Sequence, residues 1–299
     1  MITLVIDGGL GRVITAIPAL ETFVEKCPDT RIITYGWGSI IWGNKKLVKL
    51  VMDNNLKGLF DIIKDTRIMK PEPYFCSDYM NAKINLIDAW NQAINHDAVS
   101  MPIPKIYLSQ KEINGPRFRN RNPIVAFQPF GSTANIDHER VMDSSNRSLT
   151  ADFTIKLIKR FKRENIDILF LCDKPVPFVD RNDFIKYFPE NCRWMAAAIA
   201  NVDYFVGIDS SGQHMARCFN KPGSIIMGGT DPVNTSYPDF FNILNTENIS
   251  YNPYRICEMD GYLAEIENSN NMMFDKHKTE DMIDKIILDL RAKIGNVYT

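Results

Sequence analysis

The sequence lacks the features that define several large classes of protein. It has no apolar run near the roughly 18 residues of a membrane-spanning helix, and its start, MITLVIDGG, has no basic segment leading into an apolar one as a signal peptide does. Its six cysteines form no CxxC pair and no Cys/His spacing typical of a metal site, so we expect reduced thiols. These absences predict a cytoplasmic protein without membrane insertion.

An excess of charge of one sign is also missing. The 35 Lys and Arg residues balance 36 Asp and Glu residues, for a formal charge of -1, so the field of the whole molecule does not favour polyanions. A nucleic-acid site would have to be local. Two basic groups are candidates, and both can equally be solvated faces: Arg117, Arg119 and Arg121, then Lys156, Lys159, Arg160, Lys162 and Arg163.

Apolar periodicity in the first half predicts a strand, a helix and a second strand. Residues 2–6 are typical of a buried strand, residues 13–24 place apolar side chains on one helical face, and 31–35 predict the next strand. Residues 60–63 predict another strand and 82–94 a helix. The stretch 99–123, rich in proline, polar and basic residues, is typical of an interdomain linker.

The alternation of strand and helix restarts after this linker. Strands are predicted at 124–128, 167–172, 203–209 and 223–227, and helices follow several of them. Such alternation predicts parallel sheets and an α/β fold. We therefore expect a Rossmann-like domain over 1–118, a second over 124–278, and a C-terminal helix within 279–299 for which packing back on the first domain is one arrangement.

A glycine turn follows the first predicted strand. Gly9 and Gly11 can bring backbone amides to an anion at a helix start, or can simply let the helix pack on the strand. The third glycine of a dinucleotide fingerprint is replaced by Ile14, and no carboxylate follows the second strand, which disfavours nicotinamide and flavin enzymes. Arg12 opposes the helix dipole, so we expect it to meet an anion, either on a ligand or on a neighbouring acidic side chain.

Three polar blocks follow predicted strands in the second half. Parallel strands share one carboxyl edge, where α/β sheets bind ligands. The candidate nucleotide-sugar-binding residues in these blocks are Gly131, Ser132, Thr133, Arg147, Asp209, Ser210, Ser211, Gly212, His214, Thr230 and Asp231. Arg147 can clamp a diphosphate, His214 can donate to a phosphate or be a satisfied helix histidine, and Asp209 can be an N-cap.

Together these motifs resemble the heptosyltransferase-like glycosyltransferases of family 9, in particular a branch found in bacterial and bacteriophage sequences. The resemblance spans most of the chain. It is carried by the glycine loop with its following helix at 8–20, the PFGS loop with a downstream RSL at 129–149, the DSSGQH helix at 209–214, and the KP and GTDP segments at 221–222 and 229–232.

The resemblance implies a GT-B fold, in which two Rossmann-like domains face each other across a cleft. It also implies a nucleotide-sugar co-substrate held mostly by the second domain, no other cofactor, and metal-independent, inverting transfer. The family has an aspartate, its general base, where this sequence has Arg12. Asp7 is our first choice of base, although it can equally cap the turn; Asp137, His138 and Glu139 come next. Arg12, together with Arg147, His214 and the helix dipole, is expected to stabilise the leaving diphosphate.

The acceptor is expected to be either a hydroxymethylated base in bacteriophage DNA, which would have to be flipped out of its stack, or a saccharide of the lipopolysaccharide type. The sequence, rich in Asn, Ile, Met and Lys, and the phage-like branch favour DNA, whereas the near-neutral charge weighs against it. A non-catalytic nucleotide-sugar-binding relic is the alternative class. Arg147→Ala and His214→Ala are each expected to weaken donor binding with little loss of stability. The sequence gives no oligomeric state.

Overall fold

The computed structural model describes residues 1–115, 122–138, 140–143, 145, 147–180, 182, 185–187, 191–245 and 276–295. The strands, numbered along the described chain, are β1 (Ile2–Ile6), β2 (Thr30–Thr34), β3 (Val51–Asp53), β4 (Arg67–Met69), β5 (Ile124–Gln128), β6 (Asn135–Asp137), β7 (Arg140–Met142), β8 (Asp167–Leu171), β9 (Ile185–Tyr187), β10 (Tyr204–Ile208), β11 (Gly223–Met227) and β12 (Asn242–Asn245). The α-helices are α1 (Leu10–Lys26), α2 (Leu59–Ile63), α3 (Ser77–Met80), α4 (Leu86–Asn95), α5 (Gln110–Asn114), α6 (Ala151–Arg163), α7 (Cys192–Ala200), α8 (Ser211–Cys218), α9 (Pro232–Thr235) and α10 (Lys276–Ile294). Among the described residues, 3-10 turns cover Gly38–Ile41 and Pro73–Phe75.

The first sheet is parallel and has the strand order β3-β2-β1-β4. The chain therefore moves outward from β1 through β2 to β3 and then returns to the other side of β1 for β4. A reversal of this kind leaves a crevice outside the carboxyl ends of the two strands where the direction changes, which here are β1 and β4.

The second sheet is also parallel, with the order β12-β11-β10-β5-β8-β9. Its direction reverses between β5 and β10, where Val206 lies beside Phe127. The polar segments that follow these two strands therefore start at the second crevice. Strands β6 and β7 form a separate antiparallel hairpin in the connection after β5.

The two faces of the second sheet pack on different partners. Alternate residues of β5, such as Ala126, lie in an apolar core that continues through α7 and α8 to α1, α4 and the first sheet. Their neighbours, such as Phe127, pack with α6 and α10 in a second core. This alternation follows from the two-residue period of a strand.

The predicted α/β class with parallel sheets is confirmed, as are the first strand-helix-strand unit and the helix before residue 163. The strand expected at 60–63 was wrong, because these residues belong to α2, none of whose side chains is buried. Four apolar and acidic residues are too few for periodicity to separate a strand from one helical turn.

The C-terminal helix α10 packs on the second sheet instead of returning to the first half. Ile283, Ile286 and Ile287 lie in the second core, and Asp289 accepts a hydrogen bond from the Tyr204 hydroxyl on β10. No described helix combines the length and apolar character that crossing a bilayer requires.

Candidate functional site

The carboxyl ends of both sheets open onto one cavity of about 710 Å³. Segments after β1, β5, β8 and β10 contribute to its walls, so both crevices left by the strand reversals are part of it. The first half supplies Asp7–Arg12, Trp37, Tyr74 and Leu86. The second half supplies Gln128, Phe130–Ser132, Arg147, Leu171–Asp173, Asn191, Cys192, Met195, Asp209–Ser211, His214 and Thr235.

Two helices begin at this cavity without a side-chain cap. The N-caps are Gly9 for α1 and Ser210 for α8, and neither makes a side-chain capping hydrogen bond. By contrast, Asn85 caps α4, Thr150 caps α6 and Asn191 caps α7. A helix N-terminus presents backbone N–H groups and a partial positive charge, so the cavity is suited to an anion.

Of the two glycines predicted to lie at the site, Gly11 is required by the packing and Gly9 is not. A Cβ on Gly11 would lie 3.1 Å from Cδ2 and 3.4 Å from Nε2 of His214, whereas a Cβ on Gly9 would meet nothing within 4 Å. Gly11 therefore lets the first turn of α1 approach the imidazole on α8.

Gly11→Ala is expected to weaken binding of a nucleoside diphosphate several-fold, because the added methyl group must displace the His214 ring by a few tenths of an ångström. Alanine suits a helix better than glycine, so the free energy of unfolding should change by less than about 1 kcal/mol. Titration calorimetry with ADP, GDP and UDP measures the affinity. The melting temperature of the variant is the control for folding; an affinity equal to that of the wild type would remove the role assigned to Gly11.

His214 is buried and has a defined partner. Its Nδ1 lies 2.9 Å from the Tyr237 hydroxyl, the ring is 4% exposed, and burial lowers the pKa of the imidazole to about 4. The residue is therefore neutral at pH 7. Because the ring is packed and hydrogen-bonded, His214→Ala is now expected to destabilise the fold as well as affect the cavity.

The buried histidine predicts a loss of stability in mild acid. Its pKa is lower in the folded chain than its ordinary value of about 6.5, so the unfolded chain binds the extra proton first, and stability is lost as the pH falls from about 6.5 towards 4. Between pH 7 and pH 5 the free energy of unfolding should fall by about 2 kcal/mol for this reason. Urea unfolding at both pH values measures it.

In His214→Gln this part of the pH dependence should disappear. In His138→Gln, which changes a histidine whose side chain is 92% exposed, it should remain. A wild type whose stability is the same at pH 7 and pH 5 would contradict the prediction.

Arg12 meets an acidic side chain of the chain itself. Its Nη1 and Nη2 donate to Oε1 and Oε2 of Glu72 at 3.1 and 3.0 Å, and the guanidinium lies 4.6 Å from the Tyr74 ring and 5.0 Å from the Trp90 ring. We expected Arg12 to meet either an anion on a ligand or a neighbouring acidic side chain. The structure shows the second of these, the carboxylate of Glu72. Glu72 follows β4, and the sequence contained no signal that linked it to a residue 60 positions earlier.

Asp7 lies at the cavity and is held by two contacts. Its Oδ2 is 2.6 Å from Nζ of Lys70, and its Oδ1 accepts a hydrogen bond from the backbone N–H of Gly8. The hydrogen bond from Lys70 keeps the pKa of the Asp7 carboxyl below its ordinary value. The turn-capping role is therefore present, and the carboxylate is ionised at neutral pH.

A buried carboxylate that the sequence analysis missed organises the loop after β5. Asp143 is 1% exposed and accepts hydrogen bonds from the hydroxyls of Thr133, Ser145 and Ser148 and from the backbone N–H groups of the two serines. Ser145 Oγ in turn accepts from Nε of Arg147 at 3.0 Å. Thr133 thus supports the loop and does not line the cavity.

Arg147 connects the two segments that flank the second crevice. Its Nη1 donates to the backbone carbonyl of Asp209 at 3.2 Å, while Gly131 N–H donates to Ser148 Oγ at 2.9 Å. The guanidinium is therefore held from the β5 side and the β10 side at once, and it lines the cavity beside Ser132.

The carboxylate of Asp209 is hydrogen-bonded to two side chains of the protein itself. The carboxylate accepts hydrogen bonds from Gln213 Nε2 and Thr230 Oγ1, each at 2.9 Å. The predicted N-cap role of Asp209 was wrong, since Ser210 is the N-cap of α8. Asp231 caps the short helix α9 through Val233 N–H.

Not every predicted site residue reaches the cavity. Four of the candidates lie outside its lining: Thr133, Gly212, Thr230 and Asp231. Asp137 and His138 stand at the tip of the β6–β7 hairpin beside a separate depression, which removes them as candidate bases at the main cavity. Glu139 and the basic residues Arg117, Arg119 and Arg121 lie outside the described residues.

Gln128, at the end of β5, is a further cavity residue. Its Nε2 donates to Ser210 Oγ at 3.1 Å, and its buried Oε1 has no hydrogen-bond partner within the described residues. Nor do three His, Cys, Asp or Glu side chains lie together, in the part of the chain that the structure describes, in a way that could hold a metal ion.

Comparison with known proteins finds similarity in structure and none in sequence: no family model matches the chain, and no curated protein matches it significantly. A family 9 glycosyltransferase from Veillonella parvula superposes with a TM-score of 0.63 at 13% identity, covering 97% of this chain and 96% of that one. The iron-containing dodecameric glycosyltransferase TibC from enterotoxigenic E. coli gives 0.61 at 12%, covering 99% and 79%.

The ADP-heptose LPS heptosyltransferase II of E. coli gives a TM-score of 0.56 at 12% identity, covering 90% of this chain and 99% of that chain. The TM-scores establish a common fold, and identities this low leave the activity open. The expected resemblance to this family is thereby confirmed in the fold, while the bacteriophage branch stays a prediction. The chain has the fold of the heptosyltransferase-like family 9 glycosyltransferases.

Proposed function

We propose that this chain is a glycosyltransferase of GT-B architecture that transfers a sugar from a nucleoside diphosphate sugar to an acceptor hydroxyl with inversion. One observation carries the proposal: the uncapped N-termini of α1 and α8 and the guanidinium of Arg147 meet at a single cavity between the carboxyl ends of two parallel sheets. In this proposal residues 1–118 form the acceptor domain and 124–278 the donor domain.

In this proposal, Arg147 and the start of α8 stabilise the negative charge of the leaving diphosphate. Transfer breaks the bond between the anomeric carbon and the diphosphate, so negative charge develops on the leaving oxygen. Arg147 can form a planar, bidentate contact with phosphate oxygens, and the start of α8 adds backbone N–H groups. Arg147 is held by Ser145, which is itself bonded to Asp143, and by the carbonyl of Asp209, so its donors need little reorganisation as this charge develops.

Asp7 is the proposed general base. The described carboxylates at the cavity are Asp7, Asp173 and Asp209. Asp209 is buried and committed to Gln213 and Thr230, and Asp173 belongs to the half proposed to hold the donor. Asp7 lies on the acceptor side and is kept ionised by Lys70, so it can accept the proton of an attacking hydroxyl.

Arg12 is proposed as a positioning residue and not as a phosphate ligand. Its bidentate pair with Glu72 ties the start of α1 to the segment after β4, next to the Asp7 carboxylate. Both side chains of this pair are at most 10% exposed, so the pair is protected from competition by water.

Lys70→Met is expected to move the acid limb of the profile of kcat/KM against pH to higher pH. Lys70 lowers the pKa of Asp7, so without the ammonium group the carboxylate takes up its proton at a less acidic pH. Activity at pH 8 should change little, while activity near pH 4, close to the ordinary pKa of an aspartate, should fall. Lys64→Met, which removes an exposed ion pair with Asp61, is the matched control. An unshifted limb would argue against Asp7 as the base.

A saccharide is the acceptor that the cavity favours. The cationic side chains of its described lining are those of Arg12 and Arg147, and Arg12 is paired with Glu72. One diphosphate can be neutralised here, whereas a nucleic-acid strand needs a continuous track of basic residues. A hydroxymethylated DNA base is the alternative, and it would require the basic residues from Arg117 to Arg121.

A transfer assay tests the proposal. The chain is incubated with ADP-, GDP- and UDP-sugars and with either oligosaccharide or hydroxymethylated DNA acceptors, in the presence and absence of EDTA. We expect release of the nucleoside diphosphate, transfer to a saccharide with inverted anomeric configuration, and no effect of EDTA. Activity confined to DNA, falling steeply with salt, would replace the saccharide by DNA. Donor binding without transfer or hydrolysis would indicate a non-catalytic relic.

A further inference from the structure

We propose that Tyr237 is a positioning residue that donates its phenol hydrogen to Nδ1 of His214 and thereby fixes the imidazole as the neutral tautomer protonated at Nε2. In this form His214 offers an N–H group to an oxygen of the donor's diphosphate. The ligand in this statement rests on the proposed function, whereas the tautomer does not.

The contact between the two side chains is buried and well oriented. Nδ1 and the hydroxyl oxygen are 2.9 Å apart, and the rings meet edge to face at 85° with centroids 5.7 Å apart. His214 is 4% and Tyr237 7% exposed. Phe241 packs against the Tyr237 ring, with centroids 6.0 Å apart.

The direction of the hydrogen bond follows from what each group can accept. Burial lowers the pKa of His214 and raises that of Tyr237, so both side chains are neutral. A neutral imidazole has one N–H and one acceptor nitrogen. If Nδ1 carried the hydrogen, the phenol O–H would need another acceptor, and the described residues give it none besides His214. An unsatisfied buried donor is costly, so the phenol donates and Nδ1 accepts.

The other nitrogen of the ring points to the place where the two helices begin. The Cδ2–Nε2 edge of His214 lies against Gly11 in the first turn of α1, and His214 itself belongs to the first turn and a half of α8. An Nε2–H group there adds a directed donor to the backbone amides and to Arg147, all at the same cavity. Because the donor is neutral, it needs no protonation of the buried ring.

Tyr237→Phe tests this inference, since phenylalanine fills the same space and only removes the hydroxyl. The two-bond nitrogen–proton spectrum of the full chain, labelled with ¹⁵N-histidine, distinguishes the two tautomers without any ligand. We expect the wild type to be protonated at Nε2 and the variant to lose this single tautomer. Phe241→Leu, which loosens the packing but leaves the hydroxyl, should keep the wild-type tautomer.

The second measurement is the affinity for ADP, GDP and UDP by calorimetry, together with kcat and KM. In Tyr237→Phe we expect affinity to fall about fivefold while the melting temperature stays close to that of the wild type. Protonation at Nδ1 in the wild type would overturn the inference, and so would unchanged affinity in a variant whose tautomer has changed. If the wild type binds none of the three nucleotides, the proposed function and the ligand of His214 fail together, and the spectrum still decides the tautomer.

Discussion

Arg147→Ala is expected to weaken the binding of a nucleoside diphosphate by about 10- to 100-fold. A hydrogen bond between charged groups contributes about 1.5–3 kcal/mol, and a bidentate contact of a guanidinium with phosphate adds geometric specificity. Arg147 is already oriented by Ser145 and by the carbonyl of Asp209, so little side-chain entropy is lost when a ligand binds. Titration calorimetry with ADP, GDP and UDP gives the affinity directly.

Two further variants make this result specific. Arg147→Lys keeps the charge but loses the planar pair of donors, so its affinity should lie between those of the wild type and Arg147→Ala. Arg140→Ala removes an exposed arginine of the β6–β7 hairpin and should bind like the wild type. If Arg147→Ala and Arg140→Ala lose the same small amount, Arg147 is not a ligand of the diphosphate.

Arg193→Met is expected to lower the free energy of unfolding by about 3–5 kcal/mol, the usual cost of breaking a buried ion pair from one side. Arg193 on α7 is 7% exposed. It pairs with Glu112 of α5 and donates to the backbone carbonyls of Ser39, Trp42 and Tyr107. Methionine fills much of the same volume but leaves a carboxylate and three carbonyls without their donor.

The partner carboxylate gives an independent check through pH. The hydrogen bond from Arg193 lowers the pKa of Glu112 to about 2. The ionised Glu112 carboxylate therefore stabilises the fold above the ordinary pKa of a glutamate, near 4.5. This stabilisation is lost as the pH falls from there towards 2. In Arg193→Met this part of the acid transition should be smaller, since the hydrogen bonds from Ser109 to Glu112 remain.

Urea unfolding of the wild type and of Arg193→Met measures the loss in free energy of unfolding. The control is Lys46→Met, which removes an exposed ion pair with Glu25. Exposed pairs contribute only about 0–1 kcal/mol, so the control should unfold almost like the wild type. A loss below about 1 kcal/mol in Arg193→Met would show that the contact between α7 and the first half is dispensable.

The sequence predicted those parts of the site that depend on strand order. Strands followed by polar or glycine-rich segments mark carboxyl edges, so residues such as Gly11, Ser132 and Ser211 could be placed near one cavity before their contacts were known. The helix at 59–63 was missed because a single turn has no readable period.

Contacts between distant segments could not be predicted in the same way. Glu72, Asp143 and Tyr237 decide how Arg12, Arg147 and His214 behave, yet each is an ordinary polar or aromatic residue in its own stretch. Their importance comes from burial and from hydrogen bonds that tertiary packing creates. A single sequence therefore indicated that Arg12 needs an anion, and only the fold identified which anion meets it.

A thermal-shift screen against nucleoside diphosphates and their sugar conjugates, with NAD as the comparison, tests the central claim most directly. A ligand that binds only the folded chain raises its melting temperature by mass action. We predict a clear rise with one nucleoside diphosphate family, no rise with NAD, and a smaller rise in Arg147→Ala. No rise with any nucleotide, or a rise with NAD alone, would contradict the assignment of this cavity to a nucleotide-sugar donor.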